Sequence, residues 1–475
     1  MQLTAAHWIY AVFVLIIVVT MAKRRDALIP CIVGIFLIGW SVTGTPLGAV
    51  ETVFKSSVVA ARELLDIILV ISMIGGLAAA LEEMGAERLM LQPARRFMRS
   101  PQRAFWIIGF VMLVASYFLW PTPAVALVGA VLVPAAEHVR LPAISAAVAM
   151  NIFGHGIALS TDYVIQGAPG ISAKAANVPV ESLMKHQVPL IITMTLVTVT
   201  VAFLIARKDI VRAAARQEDE QEPRLSIAED ETAIDASLGE PPSITHVGKL
   251  QRDRTAAVAA VTVPVAYLVV VVVLVVFRLR GGEATAVIGG VTLLLTALFT
   301  GLAHGAESLD LITDHLIKGF TFGIKIFTPV IIMASFFYLG SPEIARQVFG
   351  ENAHGLLFDL AKSVSGLLPL NRITVGFLET TIGAIVGLSG SGFSGLPLTG
   401  TLAGAFASVT HLKTETIAAL GQIVTVWVGG GCIIPWGVVP VAAVCRVSPR
   451  DLAMKNFIPV ILGFIATTIV AIILM

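Results

Sequence analysis

Residues 256–277 read AAVAAVTVPVAYLVVVVVLVVF, an apolar run of bilayer length without a charged side chain. A helix needs about 20 such residues to cross a hydrocarbon core, and a backbone in lipid must satisfy its own hydrogen bonds, so a chain built on such runs folds as a helical bundle. Further spans are predicted near 6–22, 27–44, 64–84, 187–206, 284–303, 319–340 and 457–475. Composition agrees: 56% of the chain is hydrophobic and 13% charged, where soluble domains carry roughly a quarter charged residues. The formal net charge of +1 creates no field that would draw nucleic acid. Cys31, Cys432 and Cys445 lie in or beside apolar segments without a C-x-x-C pair, which makes them packing residues. No basic n-region or cleavage site precedes the first apolar run, so it is expected to stay in the mature protein.

Cytoplasmic loops of membrane proteins carry an excess of Lys and Arg, which sets an orientation. Lys23, Arg24 and Arg25 place the end of the first span inside, Arg88, Arg95, Arg96, Arg99 and Arg103 follow the third, and Arg207, Lys208 and Arg212 follow the 187–206 span. Arg446, Arg450 and Lys455 place the loop before the last span inside too. Both termini are therefore expected outside, in a bacterial inner membrane; Arg278 and Arg280 vote against this from an outer loop.

Residues 208–255 are polar, with acidic QEDEQE and EDE clusters and a Pro-Pro, and read as a cytoplasmic linker with too little apolar surface to fold alone. The segments on either side, 1–207 and 256–475, resemble each other at an offset of about 270. Leu127, Gly129 and Leu141 line up with Leu398, Gly400 and Leu412; Pro179, Glu181, Met184, Lys185 and Pro189 line up with Pro449, Asp451, Met454, Lys455 and Pro459. Because the charge count gives the two copies opposite directions, the expected fold is an all-α membrane protein of two inverted repeats.

Two irregular apolar stretches hold equivalent places in these copies. The first contains a predicted re-entrant hairpin at about 104–136, with its tip at Pro121, Thr122 and Pro123. The second contains a hairpin at about 373–409, with the tip LSGSGFSG at 388–395. Each is followed by a helix that cannot run straight. One, at about 142–172, carries Asn151, Gly154, His155, Gly156, Ser160, Thr161 and Asp162; the other, at about 414–445, carries Gln422, Thr425, Gly429, Gly430, Gly431 and Pro435. Irregular backbone at membrane depth is tolerated where protein buries it or a wet cavity receives it.

Paired opposed hairpins, each followed by a broken helix, resemble the ion transporter superfamily of secondary carriers, which includes gluconate permeases, divalent anion/sodium symporters and the large membrane subunits of TRAP transporters. The resemblance covers most of the chain outside 208–255. It implies alternating-access symport of a small organic anion with H⁺ or Na⁺ as coupling ion and no other cofactor, by a homodimer or by a monomer with partner subunits, the homodimer being the expectation here. The Ser-Asn-Thr tip triplets of the dicarboxylate/sodium symporters are absent, replaced by Thr122 in one tip and by Ser389, Ser391 and Ser394 in the other. The tips therefore lend no support to that one subfamily's dicarboxylate substrate or its sodium coupling.

Hydroxyls, amides and open helix N-termini can hold a carboxylate. Thr122, Asn151, Ser389, Ser391, Gly392, Ser394 and Thr425 are the candidate substrate residues. The plainer reading of the Ser/Gly tip is close helix packing. An ionisable group inside a span is costly and marks function by default. Asp162 is such a group, able to exchange a proton or to give an oxygen to a Na⁺ site, unless the span ends early and leaves it solvated in a loop. His155 could relay protons, or could be a hydrogen-bonded structural group; with Gly430 it completes the candidate coupling-ion set. Lys325 and Glu379 also lie in apolar surroundings.

Other classes fit less well. A channel wants a continuous polar stripe, whereas the polar residues here concentrate at breaks. A membrane-embedded enzyme wants convergent catalytic groups, whereas the histidines are scattered and neither H-E-x-x-H nor G-x-S-x-G occurs. A TRAP-like membrane subunit that works with a separate solute-binding protein stays open as the alternative.

Overall fold

The computed structural model describes residues 3–23, 25–220, 246–277, 279, 282–364, 370–390, 392–433 and 435–475. Every regular element among them is helical. The first half comprises α1 (Ala5–Ala22), α2 (Leu28–Thr43), α3 (Pro46–Met84), α4 (Ala86–Arg95), α5 (Pro101–Leu119), α6 (Pro121–His138), α7 (Ala143–Asn151), a π-helical segment (Ile152–Ala158), α8 (Leu159–Thr161), α9 (Gly167–Ala176) and α10 (Val180–Glu220). The second comprises α11 (His246–Val276), α12 (Gly282–His304), α13 (Ser308–Phe337), α14 (Pro342–Phe349), α15 (Leu356–Val364), α16 (Arg372–Gly387), α17 (Leu396–Thr410), α18 (Thr414–Trp427), a second π-helical segment (Val428–Cys432), α19 (Pro435–Val444) and α20 (Pro449–Leu474).

Helices begin where the sequence supplies caps. The Thr45 hydroxyl accepts from the Gly48 amide ahead of Pro46, and Ser100 accepts from the Arg103 amide ahead of Pro101. Asn371 accepts from the amides of Ile373 and Thr374. These pairings satisfy donors that a helix end leaves open. The cap at Thr45 also explains why α3 starts well before the predicted 64: nothing between Pro46 and Gly85 breaks it, and its charged first half merely lowers the hydropathy. At 39 residues it is about 58 Å long. Likewise α10 runs on to Glu220 and α11 starts at His246, so both ends of the polar linker are helical, while 221–245 lie outside the described residues. Ala- and Arg-rich sequence such as VRAAARQ has a high helix propensity of its own.

Nine helical stretches among the described residues are long and apolar enough to cross a membrane. Large apolar side chains stand on their outer faces, among them Leu15, Phe110, Leu196, Leu268, Leu294 and Ile473. Water would penalise such a surface and lipid accepts it. Inside, α3 packs along α13. Their crossing needs glycine on both sides: a Cβ on Gly76 would stand 3.1 Å from the His315 carbonyl, and one on Gly319 would stand 2.5 Å from the Gly76 nitrogen. Small residues of this kind let helix backbones approach in the absence of a hydrophobic drive between them.

α5 and α6 form one helix pair, and α16 and α17 the other; each is followed by a helix broken at a π segment. α6 packs on α19 and α17 on α9, so each pair leans on the broken helix of the other half. Gly129 meets Val444 there, while a Cβ on Gly400 would lie 2.5 Å from Ala175 Cβ. The first broken helix reaches Ala176, past the expected 172. The three cysteines are buried thiols.

Candidate functional site

The two tips meet. α5 ends at Leu119, Trp120 turns the chain at φ 71°, and α6 starts at Pro121. A positive φ at tryptophan is uncommon, and its cost is of the order 1–3 kcal/mol, borne only where surroundings impose it. The Trp120 indole stands edge-on to Phe393 of the second tip, with ring centres 5.4 Å apart. Trp120 Nε1 and Thr122 Oγ1 are buried atoms without a hydrogen-bond partner among the described residues. In the other tip the hydroxyls of Ser389 and Ser394 lie 3.4 Å apart. Gly392 presses on the second π segment, where a Cβ would stand 2.8 Å from Gly430 Cα. Ser391 lies outside the described residues.

Beneath the tips the broken helices hold each other through side-chain amides. Asn151 Nδ2 donates to the Gly431 carbonyl (2.9 Å), and Gln422 Nε2 donates to the Ser160 carbonyl (2.8 Å). Gln187 of α10 donates to the Thr161 carbonyl (3.0 Å), and Asn456 of α20 donates to the Cys432 carbonyl (2.9 Å). Gln422 also reaches Gln187 Oε1 (3.2 Å), and Asn456 reaches Asn151 Oδ1 (2.8 Å). Asn151 with Gln422, Ser160 with Gly431 and Thr161 with Cys432 are all separated by the offset that aligns Gly129 with Gly400. Two more pairs at that spacing touch each other: a Cβ on Gly156 would lie 2.6 Å from the Trp427 ring, and one on Gly430 would lie 2.7 Å from Leu159. Membrane-buried bonds of this type contribute about 0.6 kcal/mol each on average, so the belt sets register more than it supplies stability.

Asp162 is buried and not solvated in a loop. The chain turns there at φ 38°, and again at Gln166 at φ 61°, so that α9 begins over the carboxylate. Its oxygens accept from the amides of Gln166 (3.2 Å), Gly167 (2.6 Å) and Ala168 (3.2 Å). That arrangement caps a helix in the middle of the bundle. His155 is buried against Gly437 between the two π segments, and Gly430 packs on Leu159. Thr425 Oγ1 donates to the Gly383 carbonyl (3.3 Å), tying α18 to α16. Lys325 stands on an exposed face of α13, whereas Glu379 is fully buried with no hydrogen-bond partner for either oxygen among the described residues; the two do not pair.

A cleft of about 760 Å³ opens between α3, α4, α6 and α13 and follows α6 from Ala130 through Ala126 to Pro123 at the first tip. Its charged lining is Glu82, Glu83, Glu87, Arg88 and Lys318. Glu83 lies 3.7 Å from His304, 3.8 Å from His315 and 4.0 Å from Lys318. Burial, helped by the charge of Glu82, pushes the Glu87 carboxyl up to about 7.

Trp120, Gln187 and Asn456 are the residues sequence reasoning passed over. A neutral amide in an apolar span signals an interhelical bond, and carrying the repeat offset along the chain pairs Asn151 with Gln422. Nothing local marks Trp120 beyond its place before Pro121.

Apolar outer faces, nine membrane-length helices among the described residues and a buried polar centre define a multi-pass membrane protein. No family model matches the chain. It is 38% identical over 474 residues, 99% of its length and 98% of the relative's, to the uncharacterized membrane protein YhfA of Bacillus subtilis (strain 168). The chain belongs to the same membrane-protein family.

Proposed function

We propose that this protein is a secondary active carrier of the ion transporter superfamily type, moving a small organic anion across the bacterial inner membrane by symport with H⁺ or Na⁺. The observation that carries the reading is the reciprocal amide belt, in which each broken helix donates to the break of the other through residues at one fixed spacing. Two inverted copies of one unit would make such contacts about an axis in the membrane plane, and an axis of that kind lets the halves exchange conformations. Each tip also ends one helix and begins the next, so the N-termini of α6 and α17, the positive ends of their dipoles, lie beside the contact of Trp120 with Phe393. Thr122, Ser389, Ser394 and the Trp120 indole supply hydrogen bonds to an anion held there. The cleft along α6 is the access route on one side.

Uptake into proteoliposomes decides it. A panel of labelled organic acids is offered with pH and Na⁺ gradients imposed separately, and accumulation of at least one acid under one gradient is the expected result. Uptake that never exceeds equilibrium under either gradient rejects coupled transport. Asp162→Asn separates capping from coupling: a cap whose second accepting oxygen becomes an NH₂ loses about 1 kcal/mol of stability and leaves the response to the gradient intact, whereas a coupling carboxylate loses that response.

A further inference from the structure

We propose that Glu379 carries the coupling proton, in a slot between α16, α17 and α18; this rests on the carrier reading above and names its driving ion as H⁺. Glu379 is wholly buried, and neither carboxylate oxygen finds a hydrogen-bond donor among the described residues. The slot is shaped for the group. Gly421 of α18 leaves the space open: a Cβ there would overlap Oε1, lie 3.0 Å from the carboxyl carbon and 2.9 Å from Thr399 Cβ of α17.

The ionisable groups of the surrounding helices are committed elsewhere. α17 has none. On α18, Glu415 accepts from Ser182 (2.8 Å); on α20, Lys455 pairs with Asp209 (2.6 Å), and Arg450 and Asp451 are exposed. On α1, His7 faces Asp359 (3.3 Å) and Tyr10 donates to the Phe337 carbonyl (3.1 Å). Cys432 of the second π segment contacts the Asn151 carbonyl, and Arg372 of α16 itself is exposed.

A carboxylate anion left alone in such a slot is strongly disfavoured by the loss of hydration, a penalty that a proton removes. A sodium ion would need several oxygen ligands, and no second carboxylate serves the slot, since α17 carries none and Glu415 of α18 accepts from Ser182. Asp162 differs in kind, since three backbone amides hold its charge. The second tip lies at the end of α16, about 13 Å beyond Glu379 at helical rise, and Thr425 binds α16 one turn from it, at Gly383. Parting α16 and α17 from α18 exposes the carboxyl, which releases its proton to water as the carboxylate forms. Reclosing the slot requires a proton to return to the same oxygen. Occupancy of the second tip and protonation are thereby linked.

The test uses the full chain, as wild type, Glu379→Gln and Glu379→Asp. In lipid nanodiscs at neutral pH, infrared difference spectra between wild type and Glu379→Gln should contain the stretching band of one protonated carboxyl, shifted but present in Glu379→Asp. In proteoliposomes, an inward gradient of one pH unit should support about tenfold accumulation of the transported acid at one proton per solute. Glu379→Gln should bring that ratio to about one and keep exchange of labelled for unlabelled acid. Absence of the infrared band, retained pH-driven accumulation in Glu379→Gln, or wild-type accumulation that answers to Na⁺ and ignores pH each overturns the assignment. A wild type that takes up no acid of the panel overturns the carrier reading itself.

Discussion

α6 and α17 hold the same place in the two halves, each beginning at a tip and leaning on the other half's broken helix, yet their surroundings differ. α6 turns Pro123, Ala126 and Ala130 toward a cleft of about 760 Å³. α17 is buried at every position from Leu396 to Ala405. The seal is local. Thr401, which the repeat offset aligns with Ala130, lies under Gly340 at the end of α13, where a Cβ on the glycine would stand 2.9 Å from the threonine methyl. Equivalent elements thus have one open and one covered flank, and the lesson is that the asymmetry lies in what covers the pairs and not in how they are built. On the carrier reading proposed above, the seal would pass from one pair to the other.

The largest expected effect comes from the tip of the covered pair. Gly392 has no room for a side chain against the Gly430 backbone, so Gly392→Val should reduce uptake to background; overpacking costs about 1–3 kcal/mol, small enough for the protein to remain inserted. Wild-type uptake by an expressed Gly392→Val variant would show that the tip need not seat on the π segment. Next comes accessibility. Cysteines at Ala126 and Ala130 should react with a membrane-impermeant thiol reagent on the order of a hundredfold faster than one at Thr401, the contrast expected if the closed flank opens for about 1% of the time. Equal rates would erase the comparison.

The belt gives a smaller effect, read by unfolding in detergent. Asn151→Leu and Asn456→Leu should each cost about 1–2 kcal/mol, and their double-mutant cycle should show a coupling of at least about 0.5 kcal/mol because the two amides bond directly. Asn151→Leu with Gln422→Leu, which share no bond, should be closer to additive; strong coupling there would mean that the two breaks move as one body.

The smallest effect concerns the cleft. Glu87 titrates near 7 in the folded protein against an ordinary 4.5, so between those values the folded state binds more protons than the unfolded one. Stability from this group is therefore lost as pH rises through that window. The Glu87→Gln variant should lose less of its melting temperature than wild type on going from pH 5 to pH 8 at about the same ionic strength. Identical slopes would place Glu87 in open water.

Much of the candidate site could be read along the chain. The helix pairs α5–α6 and α16–α17 and the π segments Ile152–Ala158 and Val428–Cys432 stand where Pro, Gly and polar residues interrupt apolar runs, because a backbone in lipid leaves few other places for a break. The opposite membrane directions of the two copies rest on Lys and Arg in the loops and await labelling from each side. Individual roles were harder to read. Asp162 and Glu379 look alike in sequence, each a carboxylate in an apolar stretch, and the fold treats them in opposite ways.

Hydropathy, caps and breakers act over a few residues, and so the sequence by itself determined that this is a helical membrane protein, where its helices start and where two of them fail. The choice of partner for each polar group belongs to the tertiary structure. Asn151 and Asn456 are 305 residues apart, and no periodicity links them. Asp162 finds its three amides only after the backbone turns twice through the left-handed region. Glu379 is isolated because Gly421 makes room for its carboxyl and no donor arrives among the described residues. Hydrogen bonds and desolvation act over a few ångströms of space, and only packing decides which distant residues come within that range.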